Sequence, residues 1–320
     1  MRTIEAPTLD AIRAARDRIA GSALRTPLVR ANVDDGGREI WLKLENLQPI
    51  GSFKIRGAGN AMALLSKEAL GRGVYTASAG NMAQGVAWNA RRLGIPCTVI
   101  VPEHAPKTKL AAVTRLGATI VPLPFDQWWN VLVTHGYDGV DGTFIHPVSN
   151  EAVIAGNGTI GLEILEDLPG VATVIVPYGG GGLSCGIAQA IRSISPGVRI
   201  LASEVSTAAP FSASLAAGGP TKIDYTPSFV DGIGASGVLE EMWPLASRLL
   251  DGSCVVTPAE AAAAVKLLVE RNRIVAEGAG ATSVAAALSG KAGDGVIVCV
   301  ISGGNIDPEK LAFILGGSVP

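Results

Sequence analysis

A single lysine, Lys54, stands in the stretch Gly51-Ser-Phe-Lys-Ile-Arg-Gly57, behind an aromatic residue and between two glycines. Its near neighbours Ile50, Phe53 and Ile55 are apolar, so the amine is expected to be desolvated. Desolvation lowers a lysine pKa and frees the amine as a nucleophile or Schiff-base former. The plainer reading of the same stretch is a half-buried lysine snorkelling at a helix start. Four consecutive glycines, Gly179, Gly180, Gly181 and Gly182, follow a strand-like run from Thr173 to Pro177 and lead into a helical run. In that arrangement backbone N–H groups and the helix dipole hold a phosphate; the plainer reading is a flexible loop or close helix–sheet packing. No Gly-Lys-Ser/Thr follows, so the run is not a nucleotide-triphosphate loop. Ser184 and Cys185 stand where the last glycine of G-x-G-x-x-G would fall, so the dinucleotide fingerprint fails as well. A compact monophosphate remains.

Two further turns carry donors. Ser78-Ala-Gly-Asn81 suits a carboxylate, although ordinary N-capping by Ser78 or Asn81 would use the same residues. Ser302-Gly-Gly-Asn305 ends a strand of the central type, where open α/β sheets bind ligands. One lysine, one monophosphate loop and one carboxylate turn together indicate a Schiff-base cofactor carrying phosphate and acting on an amino acid. Pyridoxal 5'-phosphate fits that combination.

The elements that must position these groups read as alternating strands and helices. A helix is expected over Thr8–Ala20, a strand over Ile40–Leu44 and a helix over Ala58–Leu65. Strands at Gly73–Ser78, Cys97–Val101 and Thr119–Pro122 alternate with helices at Met82–Leu93 and Lys107–Leu116. Phe125 to Gly142, with Trp128 and Trp129, is the least legible segment and reads as a helix followed by a loop. Helices at Leu183–Ile194, Pro258–Arg271 and Gly278–Leu288 and strands at Ile200–Glu204 and Val296–Ile301 complete the pattern, with a last helix from Pro308. Short connections between alternating elements predict parallel βαβ units.

The 320 residues allow two lobes, and 40 glycines with 17% charged residues suit an α/β enzyme with many tight turns. A net charge of −2 without basic clusters argues against nucleic acid or an anionic membrane as partner. No apolar run approaches the roughly 20 residues of a membrane span, and the N-terminus lacks an apolar signal region. Cys97, Cys185, Cys254 and Cys299 are scattered, which predicts reduced buried thiols and a cytoplasmic protein.

Six segments occur in a telling order: SFKIRGA around Lys54, SAGNMAQGVA from Ser78, VIAGNGT from Val153, GGGGL from Gly179, AEGAGA from Ala276 and SGGN from Ser302. Together they resemble the threonine/serine dehydratase and serine racemase family of fold-type II pyridoxal phosphate enzymes, along nearly the whole chain. The resemblance implies two open-sheet α/β lobes of the tryptophan synthase β type: a large cofactor-binding lobe of residues 1–72 and 148–320, and a small substrate-carboxylate lobe of residues 73–147. A homodimer is the usual state of such enzymes. By resemblance, Lys54 would bond the cofactor and later act as base on the substrate Cα. Phe53 would lie against the pyridine ring, and Asn81 would hydrogen-bond the ring hydroxyl. Gly179 to Gly182 with Leu183 would hold the phosphate, Ser302 would face the ring nitrogen, and Gly232 and Glu277 would sit near the ring edge. Ser78, Ala79, Gly80, Asn81 and Met82 would grip the substrate carboxylate. A hydroxyl at the ring nitrogen leaves it largely unprotonated, which favours prompt loss of a β-substituent over transamination. The implied reaction turns a β-hydroxy α-amino acid such as L-threonine or L-serine into a 2-oxo acid and ammonia. It proceeds by amine exchange, Cα proton removal, phosphate-assisted loss of the hydroxyl, and hydrolysis of the released enamine.

Several positions depart from the family pattern. Met82 stands where histidine is frequent, and Asn157 where glutamine is usual. Ala79 replaces the serine that serves as second base in racemases, so racemisation is expected to be minor. Glu204 matches one side-chain ligand of a divalent cation, but Pro210 replaces the other, so no metal is expected. Trp128 and Trp129 have no counterpart and are expected in a core or between the lobes. These departures keep 3-hydroxyaspartate, a phenylserine and diaminopropionate open as substrates. A racemase-like isomerase, and a regulatory protein that binds the cofactor without turnover, stay open as well.

Overall fold

The computed structural model describes residues 3–34, 36–105 and 107–320. The chain opens with helix α1 (Leu9–Ile19), whose N-cap Thr8 accepts from the Ala11 N–H, and then folds around two sheets. The larger has the order β1-β2-β10-β7-β8-β9, with β1 (Leu28–Arg30), β2 (Glu39–Lys43), β7 (Thr173–Pro177), β8 (Arg199–Val205), β9 (Gly252–Val256) and β10 (Val296–Val300). Only β1 runs antiparallel to its neighbour; the other pairings are parallel. β7 and β10 lie at its centre, and their Val and Ile residues are almost wholly buried, as expected of strands covered on both faces.

The smaller sheet is all parallel, in the order β5-β4-β3-β6, with β3 (Val74–Ala77), β4 (Cys97–Pro102), β5 (Thr119–Leu123) and β6 (Thr143–Phe144). A short helix, α3 (Lys67–Gly71), leads into β3. Between the strands run α4 (Asn81–Leu93), α5 (Lys107–Arg115) and α6 (Phe125–Thr134). The C-terminal ends of all four strands therefore deliver their connections to one edge, the edge where open α/β sheets bind ligands.

Two helices tie the sheets together. Helix α2 (Lys54–Ala63) sends Ala58, Ala61 and Met62 into the core under the smaller sheet, beside Val74, Met82 and Val99. Its other face lies on α7 (Glu151–Asp167), which in turn packs on α8 (Gly182–Ile194). Contact between α2 and α7 is close enough that a Cβ on Gly156 would lie 2.5 Å from the Arg56 carbonyl oxygen. That proximity explains a difference from the sequence reading. The helix begins at Lys54 and not at Ala58, with Gly57 and Gly59 inside it, because the glycines serve close packing and do not break the helix.

The Ala-Gly-Asn-Gly-Thr run lies within α7, which starts at Glu151 with Asn150 as its cap. Beyond β8, the run Pro210–Ala217 forms α9. Helix α11 (Pro258–Leu267) passes into a wider π turn at Leu268–Asn272, short of the α-helical end expected at Arg271. Strands β1 and β9 and helix α10 (Trp243–Leu249) were not anticipated; both strands are short sheet edges with weak alternation. Helices α12 (Gly278–Leu288) and α13 (Pro308–Leu315) flank β10.

Candidate active site

A cleft of about 530 Å³ opens between the sheets, within the roughly 300–1,000 Å³ common for small-molecule sites. Lys54 lies in its wall as the first residue of α2. Its Nζ donates to the Pro147 carbonyl at 2.7 Å and sits 5.2 Å from the centre of the Phe53 ring. Burial pulls the amine down to about 8, an effect partly offset by the nearby Glu277 carboxylate. Glu277, just ahead of α12, is pushed up to about 7 by burial, with the Asn81 hydrogen bond pulling the other way. Acid and amine therefore both change charge near neutral pH, which suits proton handling.

Facing them is the loop Gly179–Gly182 between β7 and α8. Gly181 has φ +91°, which a residue with a side chain rarely adopts, and a Cβ on Gly180 would lie 2.6 Å from Val148 Cγ2. The loop is held through its carbonyls: Asn157 Nδ2 donates to Gly182 O and Ser184 Oγ to Gly181 O, each at 3.2 Å. Among the described residues, no N–H from Gly179 to Leu183 donates to a protein acceptor. Five donors at the N-terminus of α8 are thus left for an anion.

The turn Ser78–Met82 follows β3 and lines the same cleft. The Gly80 N–H donates to Ser78 Oγ at 3.1 Å. Asn81 opens α4; its Nδ2 donates to Glu277 Oε1 at 2.9 Å and its Oδ1 accepts from Asn305 Nδ2 at 2.7 Å. Ser302 ends β10 and is buried, its carbonyl accepting from the Phe53 N–H at 3.0 Å. Its hydroxyl has no hydrogen-bond partner among the described residues. Gly232 lies beside Glu277, whose Oε1 would be 3.4 Å from a Cβ there. Every site residue expected from the sequence, including Ala79, Gly80, Met82 and Leu183, lines this one cleft.

Comparison with known proteins gives the same picture. Residues 19–303 match the family described as "Pyridoxal-phosphate dependent enzyme". The chain belongs to the pyridoxal-phosphate-dependent enzymes, in the threonine/serine dehydratase and serine racemase family. It is 41% identical over 310 residues to the L-threonine ammonia-lyase of Geobacter sulfurreducens, spanning 95% of this chain and 77% of that one. To the catabolic L-threonine dehydratase of Escherichia coli it is 40% identical over 316 residues, 96% of each chain. Maize serine racemase superposes with a TM-score of 0.90 at 34% identity, over 98% of both chains.

The cofactor of this family is pyridoxal phosphate, and the cleft fits it. A buried amine poised near neutrality stands across from five unpartnered N–H groups. That is the donor set a phosphorylated aldehyde requires.

Behind Lys54, α2 is anchored by a buried charge network. Arg56 bonds Glu45 at 2.8 Å and Glu163 at 2.6 Å, and Lys43 bonds Glu163 at 2.6 Å. Burial works against the Glu45 carboxylate, but Arg56 holds it below its ordinary range.

Three departures from the family pattern have definite places in the structure. Asn157 supports the glycine loop from behind and does not line the cleft. Trp128 does line it, on the side where Phe125 and Leu132 also face the cavity, while Trp129 is largely exposed. A period of three to four residues in α6 was the available signal. Glu204 is fully engaged by the N–H groups of Phe211 and Ser212, at 2.8 Å each, and by Ser253 Oγ at 2.6 Å. The carboxylate thereby caps the first turn of α9.

Sequence reasoning also missed two polar contacts between distant segments. Lys109 bonds Asp231 at 2.6 Å beside the cleft. His135 Nε2 lies 2.9 Å from Glu241, its ring stacked on His146 at 4.3 Å.

Proposed function

We propose that the enzyme catalyses β-elimination from a β-hydroxy α-amino acid, L-threonine or L-serine being the simplest, to give a 2-oxo acid and ammonia. The observation that carries this reading is the meeting of Lys54, the glycine loop and the Ser78–Met82 turn in one cleft. The two similar enzymes named above, an ammonia-lyase and a dehydratase of L-threonine, support it. Pyridoxal phosphate, when bound, supplies the electron sink that stabilises negative charge at the substrate Cα.

The residues then divide the work. Gly179 to Gly182 and Leu183 hold the phosphate through their N–H groups. Phe53 packs on the ring, Ser302 is assigned its nitrogen, and Asn81, Gly232 and Glu277 its edge. Ser78, Ala79, Gly80, Asn81 and Met82 take the substrate carboxylate, fixing the Cα–H toward Lys54. The Lys54 amine removes that proton, and the hydroxyl leaves from Cβ with the electron pair of the Cβ–O bond. Ala79 has no group to return a proton from the opposite side, so racemisation is minor.

In this reading residues 73–147 form the substrate-carboxylate lobe, residues 1–72 and 148–320 the cofactor lobe, and the enzyme works as a cytoplasmic homodimer. The test is to load the protein with pyridoxal phosphate and assay 2-oxo acid from L-threonine and L-serine. Product that disappears in Lys54→Ala supports the reading. No product from any β-hydroxy amino acid overturns it. Light scattering of the holoenzyme gives the oligomer.

A further inference from the structure

The cleft has a wall that the steps above leave unused. From the end of β5, α6 presents Phe125, Trp128 and Leu132 to the cavity, spaced so that they share one helical face. Phe125 and Trp128 form an aromatic pair with centroids 5.6 Å apart. Trp128 and Leu132 also pack on the core of Tyr75, Ile100 and Val131, which holds the wall rigid. Packing alone does not account for the tryptophan. Its indole N–H is buried with no hydrogen-bond partner among the described residues, at a cost of about 1–3 kcal/mol that phenylalanine or leucine would avoid. What the indole adds is the largest apolar surface that α6 brings to the cleft lining. The carboxylate turn and Lys54 fix the other substituents of the substrate Cα, so the side chain is what remains to meet this face.

The charges lining the cleft narrow the class. Among the described lining residues the basic side chains are Lys54, Lys109, which is paired with Asp231 at 2.6 Å, and the exposed His104. With Lys54 committed to the cofactor, a side-chain carboxylate would find no unpaired buried cation among these residues.

Resting on the β-elimination reading, we propose that Trp128 and Phe125 set specificity, and that the preferred substrates are β-hydroxy α-amino acids carrying a bulky apolar group on Cβ, aryl above all. The ring stacks on the indole while water is lost from Cα and Cβ as in the smaller substrates.

The test is a kcat/KM panel on holoenzyme with L-serine, L-threonine, L-threo-3-phenylserine, 3-hydroxyleucine and L-threo-3-hydroxyaspartate. Phenylserine is expected to exceed serine at least tenfold. Trp128→Ala should lower the phenylserine-to-serine ratio about tenfold, the scale of one lost aromatic contact with its burial. Trp128→Phe should keep most of the preference. Phe125→Ala, whose ring is 61% exposed, reads the same ratio without disturbing the core. Preference for serine, threonine or hydroxyaspartate, or a ratio unmoved by both alanine variants, overturns the proposal and leaves the elimination reading standing. Absence of 2-oxo acid from all five overturns both.

Discussion

Asn81 Nδ2 lies 2.9 Å from Glu277 Oε1, so the turn that opens α4 is bonded to the residue that precedes α12, 196 positions away. The contact joins the edges of the two sheets next to Lys54 and holds a carboxylate whose charge raises the Lys54 pKa. Glu277→Gln keeps a hydrogen-bonding side chain and removes that charge. The rate at which apoenzyme captures pyridoxal phosphate should rise with pH as the amine deprotonates, with a midpoint near 8 in the wild type. Glu277→Gln should move the midpoint lower, because the partner that favours the ammonium is gone. Stopped-flow absorbance across pH 6 to 10 reads both midpoints. A midpoint near the ordinary lysine value of 10.5 in the wild type would contradict the burial seen here.

Lys54→Ala removes the amine that donates to Pro147 O. Turnover should fall by at least about 10²–10⁴-fold, the contribution of a positioned proton-transfer group, and further where the cofactor is lost. The visible cofactor absorbance should not survive gel filtration. Circular dichroism should be unchanged, because the deleted side chain opens on the cleft.

In the glycine loop, Gly180→Ala would place a Cβ 2.6 Å from Val148 Cγ2, and Gly181→Ala would force a side chain onto φ +91°. The second costs about 1–2 kcal/mol of backbone strain. Both should weaken pyridoxal phosphate binding by about tenfold or more while the apoenzyme stays folded. Equilibrium dialysis against the cofactor checks this, with inorganic phosphate competition as a control for the N–H donors.

Arg56→Met leaves Glu45 and Glu163 buried, with Thr26 and Gln48 still bonded to the first and Lys43 to the second. Breaking one side of a buried ion network costs about 3–5 kcal/mol. Urea unfolding should show that loss, and Arg56→Lys should recover only part of it, since one ammonium cannot replace a guanidinium bonded to two carboxylates. Activity per folded molecule should also fall, because α2 carries Lys54 at its first position.

How much of this was legible in the sequence follows from range. Lys54 among apolar neighbours, four glycines after an apolar run, and the small polar turns at Ser78 and Ser302 are local patterns. Each is written within about ten residues, where strand ends, helix starts and backbone freedom are decided by neighbours. The alternation of strands and helices was readable for the same reason, and so was the class of cofactor. Sequence alone therefore determined the lysine, the phosphate loop, the α/β architecture and, through six ordered segments, the family.

Tertiary structure decided what depends on distant segments meeting. The helix expected from Ala58 starts at Lys54 and carries Gly57 inside it, because Val153 and Asn157 of α7 lie where a Gly57 side chain would stand. Asn157 reads as a substrate position until it lies under the glycine loop, 25 residues on in the chain. Glu204 stands in a strand, and only the fold brings the N–H groups of Phe211 and Ser212 and the Ser253 hydroxyl to its oxygens. Trp128, placed by sequence in a core or between lobes, shares its ring between the core and the cleft. In each case one chain segment does not specify the outcome, because burial and hydrogen-bond partners are supplied by others far along the sequence.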